Sequence, residues 1–196
     1  MKIASVSIVG LGAVGAVVAS RLTSFLGKAK VRCIVDPARK ARYESDGIFI
    51  NGVKQDFNYV VPKDAVPSDL IIIVTKNLQL GEALKSIRSA VGAHTAIMVL
   101  CNGIQSERDA ASVYGKERVL YSFIIGISSI HEKNQIRCPA EGRIVFGEKD
   151  NKKTDRVKAV EELFAKAKIE SEVPENIHLE QWKKFLLNVV FNTLSA

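Results

Sequence analysis

The sequence predicts an α/β fold, in which helices cover a parallel sheet and further antiparallel strands extend that sheet. Short apolar runs of strand length, at residues 5–9, 31–35 and 70–74, alternate with longer helical segments. This alternation is typical of parallel strands that are buried on both faces. A glycine-rich turn directly follows the first run. The last segment is apolar and lacks Gly and Pro, which predicts the first helix of a truncated all-α domain.

The first strand leads into a glycine turn and then into a helix from Ala16 to about Phe25. The turn reads Gly10-Leu11-Gly12-Ala13-Val14-Gly15. Between a strand and a helix, this spacing is the fingerprint of a Rossmann-type dinucleotide-binding domain. The first glycine permits the tight turn, the second lets a pyrophosphate approach the backbone, and the third lets helix and strand pack closely. The helix N-terminus offers unpaired N–H groups to the phosphates. A purely structural glycine loop is the alternative interpretation.

The end of the second strand carries two conflicting signals about the cofactor. Asp36 lies about twenty residues beyond the glycine turn, where an acid normally binds the ribose hydroxyls of NAD. Arg39, Lys40 and Arg42 follow at once, and an arginine near this point can bind the 2′-phosphate of NADP. The three basic residues can also form a solvated helix face. The cofactor is therefore NADP (NADPH) or NAD at this point.

Polar side chains follow two strands of the predicted sheet at the point where each strand ends. Thr75 and Lys76 come after the strand at 70–74, and Asn102 comes after the strand at 96–100. Ligands of open α/β sheets bind outside the carboxyl ends of the strands. We therefore expect Lys76 and Asn102 to lie on the same rim as the glycine turn. A surface lysine and a simple Asn-Gly turn are the alternatives.

The remaining elements continue the alternation and then change to antiparallel strands. Asn51-Gly52 favours a type I′ turn and predicts a hairpin over residues 47–53. Pro174 marks the boundary between a dinucleotide-binding domain at 1–173 and the start of a helical substrate domain at 174–196. The other predicted elements are helices at 78–90, 106–114 and 154–167 and strands at 119–127, 135–137, 143–146 and 169–173.

The segment from residue 176 to the end carries one polar stripe. Lys184, Asn188 and Asn192 are spaced i, i+4 and i+8, so they form one narrow line on a helix that is otherwise apolar. Such a helix is expected to be buried, with Trp182 as a packing residue. Since burying an unpaired ammonium is costly, the line must face something polar. Interhelical hydrogen bonding in a bundle is the alternative to a ligand.

Composition and charge exclude several classes of protein. At 47% hydrophobic and 25% charged residues, the chain has the composition of a soluble globular protein, without a signal-peptide layout or a membrane-length apolar run. The net charge of +7 is scattered, which argues against nucleic acid and suits a small anionic ligand. No metal is expected, and an odd cysteine count favours a reducing, cytoplasmic location. The residues without metal spacing are Cys33, Cys101, Cys138, His94, His131 and His178.

The ordered set of these motifs resembles the ketopantoate reductase (2-dehydropantoate 2-reductase) family over nearly the whole chain. The resemblance rests on the glycine turn, Gly47-Ile48 with its hairpin, the Thr75-Lys76 and Asn102-Gly103 strand ends, and Trp182-Lys183-Lys184 followed by Asn188 and Asn192. It implies NADPH-dependent reduction of 2-dehydropantoate to pantoate, on the route to pantothenate and coenzyme A.

The resemblance also implies residue roles. Lys184 resembles the catalytic lysine that protonates the ketone oxygen, and Asn188 and Asn192 resemble the asparagines that bind the substrate. Lys76 and Asn102 resemble the residues where substrate and nicotinamide meet. The sequence departs from the family in two ways.

The family often has an arginine where this chain has Asp36. It also has a C-terminal helical domain that supplies an acid and a serine, and through which we expect a homodimer. We expect a chain without that domain to be inactive alone.

Two other functions remain open at this point. The first is a β-hydroxyacid dehydrogenase of the 6-phosphogluconate dehydrogenase type, which also pairs a helix lysine with an asparagine four residues later. The second is a module that senses NAD(P) without chemistry. The hairpin and Asn192 favour the reductase over the first, and Lys184 argues against the second.

Overall fold

A computed structural model describes residues 2–194 of the chain, together with the side chains of residues 2–190. Within that range, ten strands form one continuous sheet and six α-helices pack around it. The strands are β1 (Val6–Val9), β2 (Val31–Ile34), β3 (Ile48–Ile50), β4 (Val53–Gln55), β5 (Asn58–Val60), β6 (Ser68–Ile73), β7 (Val91–Val99), β8 (Val119–Glu132), β9 (Gln135–Gly147) and β10 (Ser171–Glu172). The helices are α1 (Ala13–Leu26), α2 (Pro37–Asp46), α3 (Leu80–Ser86), α4 (Ser106–Tyr114), α5 (Asp155–Lys166) and α6 (Ile177–Leu194).

The sheet has a parallel half and an antiparallel extension. Its strand order is β4-β3-β9-β8-β7-β6-β1-β2-β5, and β10 pairs with β9. The six strands β8, β7, β6, β1, β2 and β5 are parallel to one another. Ile8 of the central strand β1 pairs with Cys33 on one side and Ile72 on the other. The β8 and β9 strands form a long antiparallel pair. The predicted α/β fold, a Rossmann-type parallel sheet with appended antiparallel strands, is confirmed, whereas the proposed domain boundary at Pro174 stays a prediction.

Helices cover both faces of the parallel half. The α1 and α5 helices pack on one face, against the side that contains Ile72. The α3 and α4 helices pack on the other face, against Ile71 and Ile73. Alternate side chains of a strand point to opposite faces. Because both faces are covered, Ile72 on one face and Ile71 and Ile73 on the other are all 0% exposed. This double burial explains why the strand reads as a continuous apolar run.

The predicted hairpin is present as β3 and β4. Asn51 and Gly52 have φ values of 48° and 80°, which is the backbone that a type I′ turn requires. The side-chain oxygen of Asn51 also accepts a hydrogen bond from the backbone N–H of Cys138 at 2.8 Å. The turn residue therefore attaches the hairpin to β9, beside which β3 runs in parallel.

Several elements differ from the sequence-based prediction. The strand predicted at 96–100 begins at Val91, and the strand predicted at 119–127 ends at Glu132. The two strand pieces at 135–137 and 143–146 form one strand, β9, because Pro139 lies where the pairing with β8 is irregular, between Ser128 and Ile130. A proline is tolerated there because the ladder is already interrupted. The helix predicted at 78–90 is α3 alone, and the residues on either side tighten into 3₁₀ turns at Asn77–Gln79 and Arg88–Ala90.

The α6 helix lies on β8 and β9 and is less buried than predicted. Its residue Ile177 packs against Tyr121, Phe123 and Val145. Trp182 packs edge-on against Phe185 but is 46% exposed, so it is not buried as the prediction for this helix expects. The contacts of α6 are mainly with β8 and β9, and four of its apolar side chains are about half exposed: Leu186, Leu187, Val189 and Val190. No helix within residues 2–194 has the length and apolar character needed to cross a bilayer.

Candidate functional site

The glycine turn lies between β1 and α1 and has the geometry of a phosphate-binding loop. Gly10 has a φ of 94°, and a Cβ at this position would overlap the carbonyl oxygen of Val74. A Cβ on the buried Gly15 would overlap the carbonyl oxygen of Gly10, so this position packs the helix against the turn. Gly12 is open, since a Cβ added there would meet no described atom within 4 Å, and it precedes α1 without a side-chain cap. The first N–H groups of α1 are thus available to an anion.

Two cavities meet at this turn. The smaller cavity, about 460 Å³, is lined by Asp36, Arg39, Arg42 and His131. The larger, about 920 Å³, is lined by residues of the turn, β8, β9 and α6. Gly12, Val74, Thr75 and Lys76 line both. The described residues therefore fit an extended dinucleotide, with its pyrophosphate at Gly12 and its two ends in the two cavities.

The conflicting cofactor signals lie together in the smaller cavity. Asp36 caps α2, since its Oδ1 accepts the backbone N–H of Arg39 at 2.8 Å. Its Oδ2 lies 3.4 Å from the guanidinium Nε of Arg39. Arg42 stacks over the ring of Tyr43 at 5.1 Å, whereas Lys40 pairs with Glu44 and does not line either cavity. Acid and guanidinium therefore form one exposed pair at the predicted ribose position.

The larger cavity contains the predicted catalytic lysine. Lys184 donates a hydrogen bond from Nζ to Oδ1 of Asn102 at 3.1 Å, and the same Nζ lies 5.5 Å from the ring centre of Phe123. Asn102 is held in turn by Asn77, which donates its amide N–H to the Asn102 backbone oxygen at 2.6 Å. Burial lowers the pKa of Lys184, and the negative charge of Glu107 partly opposes this shift. A lowered pKa makes the protonated amine a stronger proton donor.

The structure brings most other predicted site residues to the same cleft. Lys76, Asn102 and Asn188 line the larger cavity together with Ala13 and Val14, and Leu11 lines the smaller one. Asn192 belongs to α6, but its side chain lies outside the described residues.

The charges of the larger cavity are partly neutralised. Among the described residues, Arg143 lies 3.1 Å from Glu172, and Lys183 lies 2.7 Å from Glu180. Lys76 and Lys184 also line this cavity and have no carboxylate within 4.0 Å in that part of the chain. Two ammonium groups thus remain to attract an anionic ligand.

Sequence reasoning misses three residues of this region. His131 reads as a surface histidine, yet it lines the smaller cavity because the long β8–β9 pair extends to it. Glu107 and Gln181 are buried behind Lys184, and the side-chain amide of Gln181 donates a hydrogen bond from Nε2 to Oε1 of Glu107 at 2.8 Å. An acid in the first turn of a helix normally indicates only a stabilised N-terminus. Neither Glu107 nor Gln181 lies in a motif that would have identified it.

Comparisons with known proteins identify the family of this chain. The ketopantoate reductase PanE/ApbA family model matches residues 6–151. The 2-dehydropantoate 2-reductase of Aquifex aeolicus is 29% identical over 192 residues, which cover 96% of this chain and 61% of that protein. The chain spans about 60% of the length of the curated relatives that it matches over nearly its whole length.

Solved structures share the fold. The 2-dehydropantoate 2-reductase of Geobacter metallireducens superposes with a TM-score of 0.84 at 24% identity, covering 98% of this chain and 65% of that one. A D-mandelate dehydrogenase, solved with NADH and anilino(oxo)acetate, superposes with a TM-score of 0.82 at 21% identity, covering 94% and 61%. On its sequence match, its fold and its glycine turn, the chain belongs to the ketopantoate reductase PanE/ApbA family of oxidoreductases.

Proposed function

We propose that the full-length protein reduces 2-dehydropantoate, a 2-keto acid, to pantoate with NADPH. The observation that carries this proposal is the 3.1 Å hydrogen bond from Lys184 to Asn102, in the cleft that the glycine turn also lines. A proton donor and a dinucleotide-binding turn on one cleft are the two parts that ketone reduction requires. The family match and the names of its curated members support the substrate.

Lys184 supplies the proton in the proposed reaction. A bound NAD(P)H supplies a hydride to the carbonyl carbon. The ammonium of Lys184 stabilises the negative charge that develops on the carbonyl oxygen and donates its proton there, so that the C=O bond becomes a C–OH group. The neutral amine then regains a proton from solvent. Asn102 holds the ammonium in place, and because an amide oxygen carries no net charge, it does so without neutralising the lysine.

The other polar residues of the cleft orient the substrate in this proposal. Asn188 lies one helical turn beyond Lys184 and lines the same cavity. Its amide offers donors and acceptors to the hydroxyl and carboxylate of the substrate. The same role for Asn192 stays a prediction, since its side chain lies outside the described residues. Lys76 lines both cavities, which supports a proposed contact of its ammonium with the substrate carboxylate beside the nicotinamide.

NADPH is the proposed cofactor because two guanidinium groups line the cavity of the ribose. Arg39 and Arg42 both reach this cavity, and a guanidinium binds a 2′-phosphate through paired hydrogen bonds. Asp36 favours the alternative, NADH, since a carboxylate accepts hydrogen bonds from both ribose hydroxyls and repels a phosphate. Contact with Arg39 reduces that repulsion but does not remove the charge.

A substrate panel on the full-length protein tests the proposed reaction. We expect 2-dehydropantoate with NADPH to show the highest kcat/KM among branched and unbranched 2-keto acids. Preferred oxidation of a β-hydroxyacid would replace the proposal with the β-hydroxyacid dehydrogenase alternative. Tight dinucleotide binding without turnover of any keto or hydroxy acid would replace it with a sensing module.

The proposed partner is a small 2-keto acid, with neither nucleic acid nor a membrane as a partner. A homodimer and a cytoplasmic location stay predictions. Light scattering of the full-length protein tests the dimer: a mass of two subunits is expected, and a mass of one subunit would contradict it.

A further inference from the structure

A carboxylate that the proposed reaction does not use is fully buried behind the catalytic lysine. Glu107, in the first turn of α4, is 0% exposed. Its Oε1 accepts the backbone N–H of Ser122 at 3.3 Å and the side-chain amide of Gln181 at 2.8 Å, and its Oε2 accepts the hydroxyl of Ser106 at 3.1 Å. The three donors come from β8, α6 and the carboxylate's own helix. One carboxylate thus connects three elements.

Burying a carboxylate costs free energy, so the position of Glu107 needs an explanation beyond local stability. Desolvation raises the pKa of Glu107, whereas the hydrogen bonds from its donors oppose that shift. Stabilising the N-terminus of α4 needs no buried charge, since an exposed acid such as Asp109 in the same turn can serve. The contact that an exposed acid could not make is the one to Gln181, which is 3% exposed.

Gln181 lies three residues before Lys184, so both side chains project from the same face of α6. Ile177 anchors the same face four residues earlier, in the apolar contact with Tyr121, Phe123 and Val145. The hydrogen bond from Gln181 to Glu107 adds a directional contact between that anchor and the lysine. It fixes both the rotation and the axial position of the helical turn that carries Lys184.

We propose that Glu107 is a positioning residue for the reaction: through Gln181 it holds α6 in the register that presents Lys184 to Asn102 and the cleft. This inference rests on the reductase function proposed above. Glu107 itself does not line either cavity, so it acts through the helix and not on the substrate. A small displacement of a catalytic group is enough to reduce turnover strongly.

The charge of Glu107 has a second effect, because it raises the pKa of Lys184 against the lowering by burial. Other ionisable groups line the same cavity as the lysine: Glu180 and Lys183 on its own helix, Lys76 after β6, Arg143 on β9 and Glu172 on β10. Arg143 with Glu172, and Lys183 with Glu180, form ion pairs of no net charge. Removing the charge of Glu107 should therefore lower the pKa of Lys184, and the alkaline decline of kcat should move to lower pH.

Two variants of the full-length protein separate the contact from the charge. Glu107→Gln keeps an oxygen for Ser122 and Gln181 and places its amide toward Ser106, so it removes mainly the charge. Gln181→Leu removes the tie to α6 and leaves the charge. Asp109→Asn is the matched control, since this acid is exposed on the same helix. The readouts are kcat and KM for both substrates against pH, together with the Lys184 pKa from NMR titration of its side chain.

We expect Gln181→Leu to lower kcat about tenfold, with the KM for the cofactor unchanged. We expect Glu107→Gln to lower the Lys184 pKa and the alkaline limb of kcat by about half a pH unit or more. Asp109→Asn should match the wild type.

An unshifted Lys184 pKa in Glu107→Gln together with unchanged kcat in Gln181→Leu would overturn the proposal. Equal losses of kcat and of cofactor affinity without a pKa shift would also overturn it, because they indicate a purely structural contact. If Glu107→Gln does not fold, kcat of Gln181→Leu decides. If the wild type reduces no keto acid, the reductase proposal fails, and the Lys184 pKa in Glu107→Gln still decides whether Glu107 acts on the lysine.

Discussion

The two halves of the cleft are built in different ways. The half around Asp36 and the glycine turn comes mainly from one continuous stretch, β1–α1–β2–α2, and the charged groups of that stretch that line the smaller cavity are exposed. The half around Lys184 joins residues that are 82 positions apart, and the carboxylate behind it bonds to a residue 74 positions away. The proposed cofactor binding thus depends mainly on a local motif, whereas the proposed chemistry depends on how α6 docks. Substitutions should therefore affect binding and turnover separately.

The largest expected effect is on turnover alone. Lys184→Ala removes the proton donor but no residue of the glycine turn, so kcat should fall by about 10²-fold or more while the Kd of NADPH stays within about twofold. Steady-state kinetics and fluorescence titration of the full-length protein measure the two quantities. Lys183→Ala is the control, since this neighbour pairs with Glu180. Near-native kcat in Lys184→Ala would show that the lysine is not the acid.

The converse effect should come from the glycine turn. Gly10→Ala places a side chain at a φ of 94° and against the carbonyl oxygen of Val74, so the free energy of unfolding should fall by about 1–3 kcal/mol. The Kd of NADPH should rise with it. Urea unfolding and fluorescence titration check both changes. Gly81→Ala, in open space on α3, should leave the Kd unchanged and should raise the free energy of unfolding by up to about 1 kcal/mol, since alanine favours a helix. A wild-type Kd in Gly10→Ala would mean that the turn does not bind the cofactor.

A smaller effect should reveal which cofactor the local half selects. Asp36→Asn keeps the helix cap and removes the charge, so the ratio of kcat/KM for NADPH over NADH should rise about tenfold, or ~1.4 kcal/mol. Kinetics with both cofactors measure this ratio, with Asp46→Asn at the end of α2 as the control. An unchanged ratio would show that Asp36 is not the selector.

The smallest expected effect is a pH shift in the wild-type protein. Since the protonated amine is the active form, kcat should be present below the pKa of Lys184 and lost above it. Burial lowers this pKa, so the alkaline midpoint should lie below the ordinary lysine value of 10.5. A pH series of kcat under saturating substrates gives the midpoint. A midpoint at or above the ordinary value would mean that the lysine is not desolvated in the active protein.

The same contrast explains what the sequence could predict. The glycine turn, Asp36 and the Asn51-Gly52 turn were predictable because each depends on residues adjacent in the chain. Lys76 and Asn102 were predictable as neighbours of that turn because parallel strands end at one edge of the sheet. The polar stripe of α6 predicted that Lys184 faces something polar.

Other features depend on contacts that no local pattern encodes. Nothing near Glu107 indicates that α6 covers it and buries its charge. Pro139 argued for two strands, and only the irregular pairing at Ser128 shows why one strand can contain it. The exposure of Leu186 and Leu187 likewise depends on which elements cover α6, and the prediction that they are buried is wrong for the described residues.

A crystal structure of the full-length protein with bound NADP⁺ shows directly whether Lys184 faces the nicotinamide in the cleft that the glycine turn lines. We expect the pyrophosphate at Gly12 and the nicotinamide ring in the larger cavity, beside Asn102 and within reach of the Lys184 ammonium. A nicotinamide ring bound elsewhere, or an α6 helix rotated so that this ammonium faces solvent, would contradict it.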